Sequence, residues 1–317
     1  MTVLITGGMG FIGLHTARAF LDAGQDVVIT WYQTWREPGF IKDEYGKRVI
    51  VEKADVSQGG VIKDLAVKHK ADHIVHLAVP GLGAPDAAGD YRVNMDGLIG
   101  VLEAAREAEV KRLSFASSIA VYASLPKGPF REDQPLPVES GNPTEAFKKA
   151  WEILALHYGR RAGLEVVSLR IGGIWGPVYH SMANLPSRLA HAGAKGVEPD
   201  YSSARAGAPF AEDTSDFCYV KDTAQAIRLV QLADKLEHAI YNISAGEAVP
   251  VSRLAAAVNA VKPDVSLGIK EGRGPRYREG SYMDASRLRG ELGFEPAYTV
   301  ETAMADYIAW LEAGNEK

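Results

Sequence analysis

An α/β fold, a doubly wound parallel sheet with a smaller C-terminal subdomain, is what the sequence predicts. Three observations carry this: six short runs rich in Val, Ile and Leu within the first 170 residues, longer segments of helical periodicity between them, and a loop-rich pattern after Arg170. Runs that are apolar throughout, rather than alternating, suit strands buried on both faces. Strand and helix in repeated alternation then give a parallel sheet with right-handed crossovers.

Taken in order, strands are expected over residues 3–6, 27–30, 49–52, 73–77, 113–117 and 165–169. Between them, residues 11–23, 58–69, 91–108 and 145–162 place apolar side chains at helical spacing. From about 172 to 213 the chain is rich in Gly, Pro, Ala and Ser and reads as loops with one short helix. Strand-like runs return at 217–220 and 240–243, with a helix over 222–232 between them. A helix over 251–261, a basic loop and a last helix over 300–311 complete the chain. The expected division is a core over 1–172, with 214–243 returning to it, and a substrate-binding cap from 173–213 and 244–317.

Composition narrows the function. A chain of 317 residues, 46% hydrophobic, can bury one large core plus an attachment. A net charge of -5 gives no basic excess to neutralise phosphates, so nucleic acid is not an expected partner. One cysteine, Cys218, excludes an intramolecular disulfide and a clustered thiolate metal site. No apolar run is long enough to span a bilayer, and no signal-peptide pattern opens the chain, so a cytoplasmic location is expected and a membrane is not.

The most specific local signal is the turn Thr6-Gly7-Gly8-Met9-Gly10-Phe11-Ile12-Gly13, which follows a strand and opens a helix. Gly7 permits the tight turn, Gly10 lets backbone approach a pyrophosphate, and Gly13 permits close helix–strand packing; the helix N-terminus supplies free N–H groups. This is the phosphate-binding turn of a Rossmann sheet. A carboxylate for the ribose hydroxyls is expected at the far end of the second strand, but that position is Thr30, followed by Trp31 and Tyr32. Asp26 sits at the strand's beginning, roughly 13 Å away. Arg36 is near enough in sequence to help bind a 2′-phosphate, so the cofactor is NAD or NADP.

With these residues in hand, the chain resembles the extended short-chain dehydrogenase/reductases of the NAD-dependent epimerase/dehydratase group over nearly its whole length. The residues at 6–13 match the cofactor turn, with Phe11 and Ile12 inside it, and Asp55-Val56 resembles the pair that contacts adenine. His76-Leu77-Ala78 falls where the family lines the cofactor, and Asn94 where it has its central helix. Ser117-Ser118-Ile119-Ala120-Val121-Tyr122 resembles the catalytic serine segment, with Ser118 as the serine. Arg170, Ile174-Trp175-Gly176-Pro177, Tyr219-Val220-Lys221-Asp222 and Leu292-Gly293-Phe294-Glu295-Pro296 complete the series. The resemblance implies a homodimer formed through the helices over 91–108 and 145–162.

Two departures matter. The family's catalytic pair is a Tyr four residues before a Lys, often with a Glu four beyond; Lys148 and Glu152 keep the second spacing, but position 144 is Thr. Shifting the register to Lys149 puts Glu145 there instead. Relatives acting on nucleotide sugars usually have an Arg for the diphosphate just before the pair Asp216-Phe217, where this chain has Ser215.

A tyrosine beside an ammonium can exchange a proton near neutral pH, and a threonine hydroxyl cannot. Lys148 is expected to bond the nicotinamide ribose, and Ser118, with Ile119 beside it, to meet the substrate. Candidates for the missing acid are Tyr122, Tyr179 and His180, or a water held by Thr144 and Lys148. Tyr122 is weighed chiefly as a packing residue, and Glu145 as a solvated residue of a helix's first turn. The loop over 270–278 holds Arg273, Arg276 and Arg278, any of which suits a carboxylate or phosphate; Arg276 is taken as the substrate clamp. The expected activity is NAD(P)-dependent epimerase/dehydratase-type oxidoreduction on a sugar-like or hydroxylated, anionic small molecule. Alternatives are a lyase or isomerase using bound NAD transiently or structurally, and a non-enzymatic dinucleotide sensor.

Overall fold

The computed structural model describes residues 1–58, 60–81, 86–202, 204 and 207–315. In the first half, strands β1 (Thr2–Thr6), β2 (Asp26–Trp31), β3 (Val49–Lys53), β4 (His73–His76), β5 (Arg112–Ser118) and β6 (Val166–Ile171) alternate with helices α1 (Phe11–Asp22), α2 (Val61–Lys68), α3 (Ala87–Glu107) and α4 (Pro143–Ala162). All six expected strands and four expected helices are present, with ends moved by a few residues. The largest shift is at α3, which starts four residues before the expected 91 because Asp86 caps it, accepting from the Ala88 amide at 3.1 Å. Asn142 caps α4 in the same way through the Glu145 amide at 3.0 Å, and Gly163, at φ +67°, ends it.

The later elements are β7 (Gly173–Trp175), α5 (Leu185–Lys195), β8 (Thr214–Ser215), β9 (Phe217–Tyr219), α6 (Val220–Leu232), β10 (Ile240–Ile243), β11 (Val249–Pro250), α7 (Val251–Val261), α8 (Ser286–Leu292) and α9 (Val300–Glu312). A seven-stranded sheet has the order β10-β6-β5-β4-β1-β2-β3. Its pairs from β3 to β6 are all parallel, with Ile5 opposite Ile29, Thr6 opposite His76, and Ser117 opposite Arg170. The order reverses between β1 and β4. In open α/β sheets, ligands bind beyond the carboxyl ends of strands at such a reversal.

Two compact units emerge from the contacts: residues 1–124, 135–171 and 224–241 form one, and residues 125–134, 172–223 and 242–317 the other. In the first, consecutive residues of the central strands are buried, Val3, Leu4 and Ile5 in β1 and Val27, Val28 and Ile29 in β2, so both faces of the sheet are covered. Leu4, Val28, Ile74 and Phe115 pack with Leu98, Leu102 and Trp151 of the helices, all buried. Arg112 is fully buried in β5 because it donates to the carbonyls of Val230, Gln231 and Ala233, satisfying the C-terminal end of α6.

The second unit has its own core, where Trp175, Leu189, Tyr219, Leu254, Met304, Tyr307 and Ile308 are buried together. Of the stretch 214–243, expected to return to the sheet, residues 214–223 group with this unit. The reason is pairing: β9 runs parallel to β7, with Ile174 opposite Cys218, and β8 runs antiparallel to β11. Strands of two or three residues carry too little periodicity to announce their partners. Residues 125–134 belong here as well, since the Phe130 amide donates to Tyr282 O at 2.8 Å.

Candidate active site

The turn after β1 is built from close backbone approaches. Gly7 has φ +67°, and a Cβ there would lie 2.8 Å from the Ala78 amide nitrogen. A Cβ on Gly13 would lie 2.4 Å from Gly7 O, and one on Gly10 3.0 Å from the same oxygen. Gly8, which the spacing pattern skips, is equally constrained: its Cβ would meet the Ile29 side chain at 2.5 Å. Gly10 is the N-cap of α1, and the first helical bond runs from the Leu14 amide to Gly10 O. The amide groups before it therefore lie at the helix's positive end.

A cleft of about 610 Å³ opens beside this turn. Of the residues expected at the cofactor, Gly7, Gly10, Thr30, Asp55, Val56, Leu77 and Ala78 line it, whereas Phe11, Ile12 and Gly13 form the first turn of α1. Thr30 is 2% exposed, and its hydroxyl accepts from the Gly7 amide at 3.0 Å, so it braces the turn. Asp55 accepts from the Ser57 amide and hydroxyl at 3.0 and 2.7 Å. Burial alone would raise its carboxyl; these bonds and one from Tyr32 outweigh it, leaving it below the usual carboxylate range. Asn94 is buried on α3. Its amide group donates to Asp90 O at 2.9 Å, and its Oδ1 has no partner. A buried acceptor without a donor is costly, and is expected where a ligand supplies one.

The second cluster lies at the carboxyl ends of β4 and β5. Ser118, half-buried, accepts from the Ala120 amide at 3.1 Å and starts the 3-10 turn over Ile119–Tyr122. On α4, positions 144, 148 and 152 share one stripe because they are four residues apart. Thr144 is half-buried. Lys148 is buried, its Nζ donating to Ala116 O at 2.5 Å and lying 4.2 Å from the Trp151 ring centroid. Burial pushes this ammonium down to about 7, although Glu152 pulls the other way. Beside it His76, bonded to Thr6 Oγ1 at 2.7 Å, is held neutral, pushed to about 3 by burial and by Lys148. His76 Nε2 and Trp151 Nε1 are both buried without a partner.

Below this stripe, Glu152 accepts from Ser117 Oγ at 2.6 Å, Ser168 Oγ at 2.9 Å, and both Nε and Nη2 of Arg170 at 2.9 and 2.7 Å. Arg170 also donates to the Tyr122 hydroxyl at 2.7 Å. Tyr122 is fully buried with its oxygen engaged, so it packs and does not reach a substrate.

The expectation of a solvated Glu145 is corrected. It is 1% exposed and accepts from Lys149 Nζ at 2.8 Å, Ser124 Oγ at 2.6 Å and the Gly141 amide at 3.0 Å. Lys149 also donates to Pro137 O and Glu139 O. Of the two adjacent lysines, Lys148 therefore faces the end of β5 and Lys149 pins the loop before α4.

In the second unit, Tyr179 and His180 follow β7 and a turn in which Gly176 has φ +136° and Val178 φ +70°. Tyr179 is half-buried and His180 is exposed. Ser215 lies in β8, opposite Val249. The arginines of the basic loop are not equivalent. Arg273 pairs with Glu212 at 3.0 Å, Arg278 donates to Leu125 O at 3.1 Å and covers the Phe130 ring, and Arg276 is exposed. The segment 219–222 acts as a clamp: Tyr219 and Lys221 both donate to Asp306, and Asp222 accepts from the Ala297 and Tyr298 amides.

The family model described as the NAD dependent epimerase/dehydratase family matches residues 3–244. A dTDP-glucose 4,6-dehydratase of Streptomyces niveus is 27% identical over 98% of this chain and 92% of its own length. A UDP-glucose 4-epimerase of Neisseria gonorrhoeae is 26% identical, covering 98% of this chain and 97% of its own. Among solved structures, the UDP-glucose 4-epimerase of Thermus thermophilus in complex with NAD superposes with a TM-score of 0.75 at 26% identity, over 97% of this chain and 99% of that one.

Proposed function

Because the chain belongs to the NAD dependent epimerase/dehydratase family, we propose that it is an NAD(P)-dependent enzyme of the epimerase/dehydratase type, acting on a hydroxylated, sugar-like anionic substrate. A bound nicotinamide dinucleotide supplies the hydride acceptor and donor. The glycine cradle at Gly7, Gly10 and Gly13 would hold its pyrophosphate against the start of α1, with Phe11 and Ile12 in that first turn. Asp55, Val56, Leu77 and Ala78 would line the cleft around its adenosine half. The orphaned Oδ1 of Asn94 and Nε2 of His76 fit a polar group brought by a ligand.

The observation that carries the chemistry is Lys148, buried on α4 with its Nζ 2.5 Å from Ala116 O, two residues before Ser118 on β5. Thr144, one helical turn before it, cannot ionise near neutral pH. Lys148 holds a proton that exchanges near pH 7 and takes over the acid/base task, while the Ser118 and Thr144 hydroxyls orient the substrate oxygen. Within the second unit, Tyr179, His180 and Arg276 are proposed as substrate-binding residues, with Arg276, exposed in its basic loop, as an anion clamp. The named relatives act on dTDP-glucose and UDP-glucose, so nucleotide sugars head the substrate panel. Ser215 argues for sugar acids and sugar phosphates beside them.

Turnover is tested by incubating purified protein with this panel and following products by NMR and nicotinamide absorbance, across pH 5–10. The expected result is conversion with a pH–rate limb near about 7 that vanishes in Lys148→Arg, which keeps the charge and cannot release it. Bound dinucleotide with no turnover of any member would replace the enzyme by a dinucleotide sensor.

No helix among the described residues is long and apolar enough to cross a membrane. A cytoplasmic location is part of the same proposal and rests on a sequence with a single cysteine, Cys218, which leaves no disulfide framework within the chain. So is a homodimer through α3 and α4, where Ile99, Ile153 and Leu154 are 52%, 71% and 47% exposed.

A further inference from the structure

We propose that this chain takes NADP(H) in preference to NAD(H), and that Arg36 reads the 2′-phosphate. The inference rests on dinucleotide binding in the cleft beside the glycine turn. It comes from what the carboxyl end of β2 presents to that cleft.

A chain that selects NAD places a carboxylate there, to accept from the ribose hydroxyls and to repel a 2′-phosphate. Thr30, Trp31 and Tyr32 include none. The Thr30 hydroxyl is buried and accepts from the Gly7 amide, and, being neutral, it cannot repel a 2′-phosphate as a carboxylate would. Asp26, at the other end of the strand, is paired with Arg48 at 3.0 Å. Asp55 is the one carboxylate lining the cleft among the described residues, and it is occupied by Ser57 and Tyr32.

The loop after β2 brings a guanidinium to the same rim. Arg36 lines the cleft with Thr30 and Trp31, and its Nη1 donates to Met9 O, in the glycine turn, at 3.2 Å. The loop is fixed from several sides. The Tyr45 hydroxyl donates to Arg36 O at 3.0 Å, and the Trp35 ring meets Trp31 edge-on at 5.4 Å and Tyr45 at 6.1 Å. Lys53 lies 5.1 Å from the Trp31 ring, adding a second positive charge near this end of the sheet. A planar guanidinium bonds phosphate oxygens in pairs, and a 2′-phosphate carries close to two negative charges near neutral pH. With the repelling carboxylate absent and the cation present, both parts of the usual discrimination favour the phosphorylated dinucleotide.

Fluorescence titration of the purified protein with NADPH and with NADH tests this, because Trp31 lines the cleft and Trp35 packs against it. NADPH is expected to bind at least about tenfold tighter, as a charge-assisted pair implies. The preference should shrink as salt is raised. Arg36→Leu is expected to lose about tenfold in NADPH affinity while NADH stays within about twofold. On the unmodified protein, 2′,5′-ADP should displace NADPH at least about tenfold better than 5′-ADP, which decides the matter even if Arg36→Leu does not fold. NADH binding as tightly as NADPH overturns the proposal, and an undiminished NADPH preference in folded Arg36→Leu overturns the role of Arg36, which is then a brace on Met9. Binding of neither dinucleotide overturns the cofactor reading itself.

Discussion

A lysine that is 5% exposed, bonded to a carbonyl and lying over an indole face carries its charge against the medium around it. The fold favours neutral Lys148, so between about pH 7 and its ordinary value of 10.5 the unfolded chain binds the extra proton and stability rises with pH. Lys148→Met should abolish that slope and stabilise the protein by ~1 kcal/mol below pH 7, while lowering kcat at least about a hundredfold. Urea titrations at pH 6 and 9, set beside steady-state rates, measure both effects; a destabilised variant would mean that the bond to Ala116 outweighs the cost of the charge.

The glycines make a second test at this scale. Gly13→Ala forces a Cβ against the backbone of Gly7 and Gly8 and should cost ~1–3 kcal/mol and dinucleotide affinity together. Gly100→Ala, inside α3 with its nearest neighbour at 3.7 Å, should be neutral or gain ~0.5–1 kcal/mol. Thermal melts with and without dinucleotide separate the two. The role of Gly13 was legible because three-residue spacing before a helix encodes it locally. Gly8 was not, because its closest approach is to the Ile29 side chain, which β2 brings against the turn beside Ile5 O.

At the scale of elements, α4 does two jobs with one stripe and its neighbours. Its first turns present Thr144 and the buried Lys148, and one turn further on Glu152 anchors the helix to β5 and β6 through Ser117, Ser168 and Arg170. Glu152→Ala leaves the Arg170 guanidinium buried without its carboxylate, and should cost ~3–5 kcal/mol by chemical denaturation. Glu152→Gln, which can still accept from Arg170, should lose less. A cost below ~1 kcal/mol for Glu152→Ala would mean that water replaces the carboxylate. Strands β1 to β6 were readable because each holds a short run rich in Val, Ile, Leu or Phe, even where polar residues such as Arg112 and Ser114 are buried among them. The strand-like run at 217–220 became β9, but the short β7, β8 and β11 were not readable, since pairs of two or three residues are chosen by whichever partner the surrounding chain brings near.

For the whole molecule, the proposed homodimer rests on the exposed apolar residues of α3 and α4. Ile99 and Leu154 border an apolar groove that also holds Met95, Leu98, Leu102 and Tyr158. Ile99→Glu is expected to convert a dimer to a monomer in light scattering without lowering the melting temperature of the monomer; a wild-type protein that is already monomeric at micromolar concentration would refute the dimer.

Fold class, strand succession and the place of the phosphate turn were all contained in the order of residues, because burial period and glycine spacing are local properties of a chain. Which of Lys148 and Lys149 faces the end of β5, that Glu145 is buried, that Thr30 braces the turn, and that Arg36 reaches Met9 were decided by tertiary structure alone. Each depends on a partner that folding brings from elsewhere, such as Ala116, Ser124, Gly7 or Met9. Burial and pairing set charge and reach, and neither is written in the spacing of neighbours along the chain.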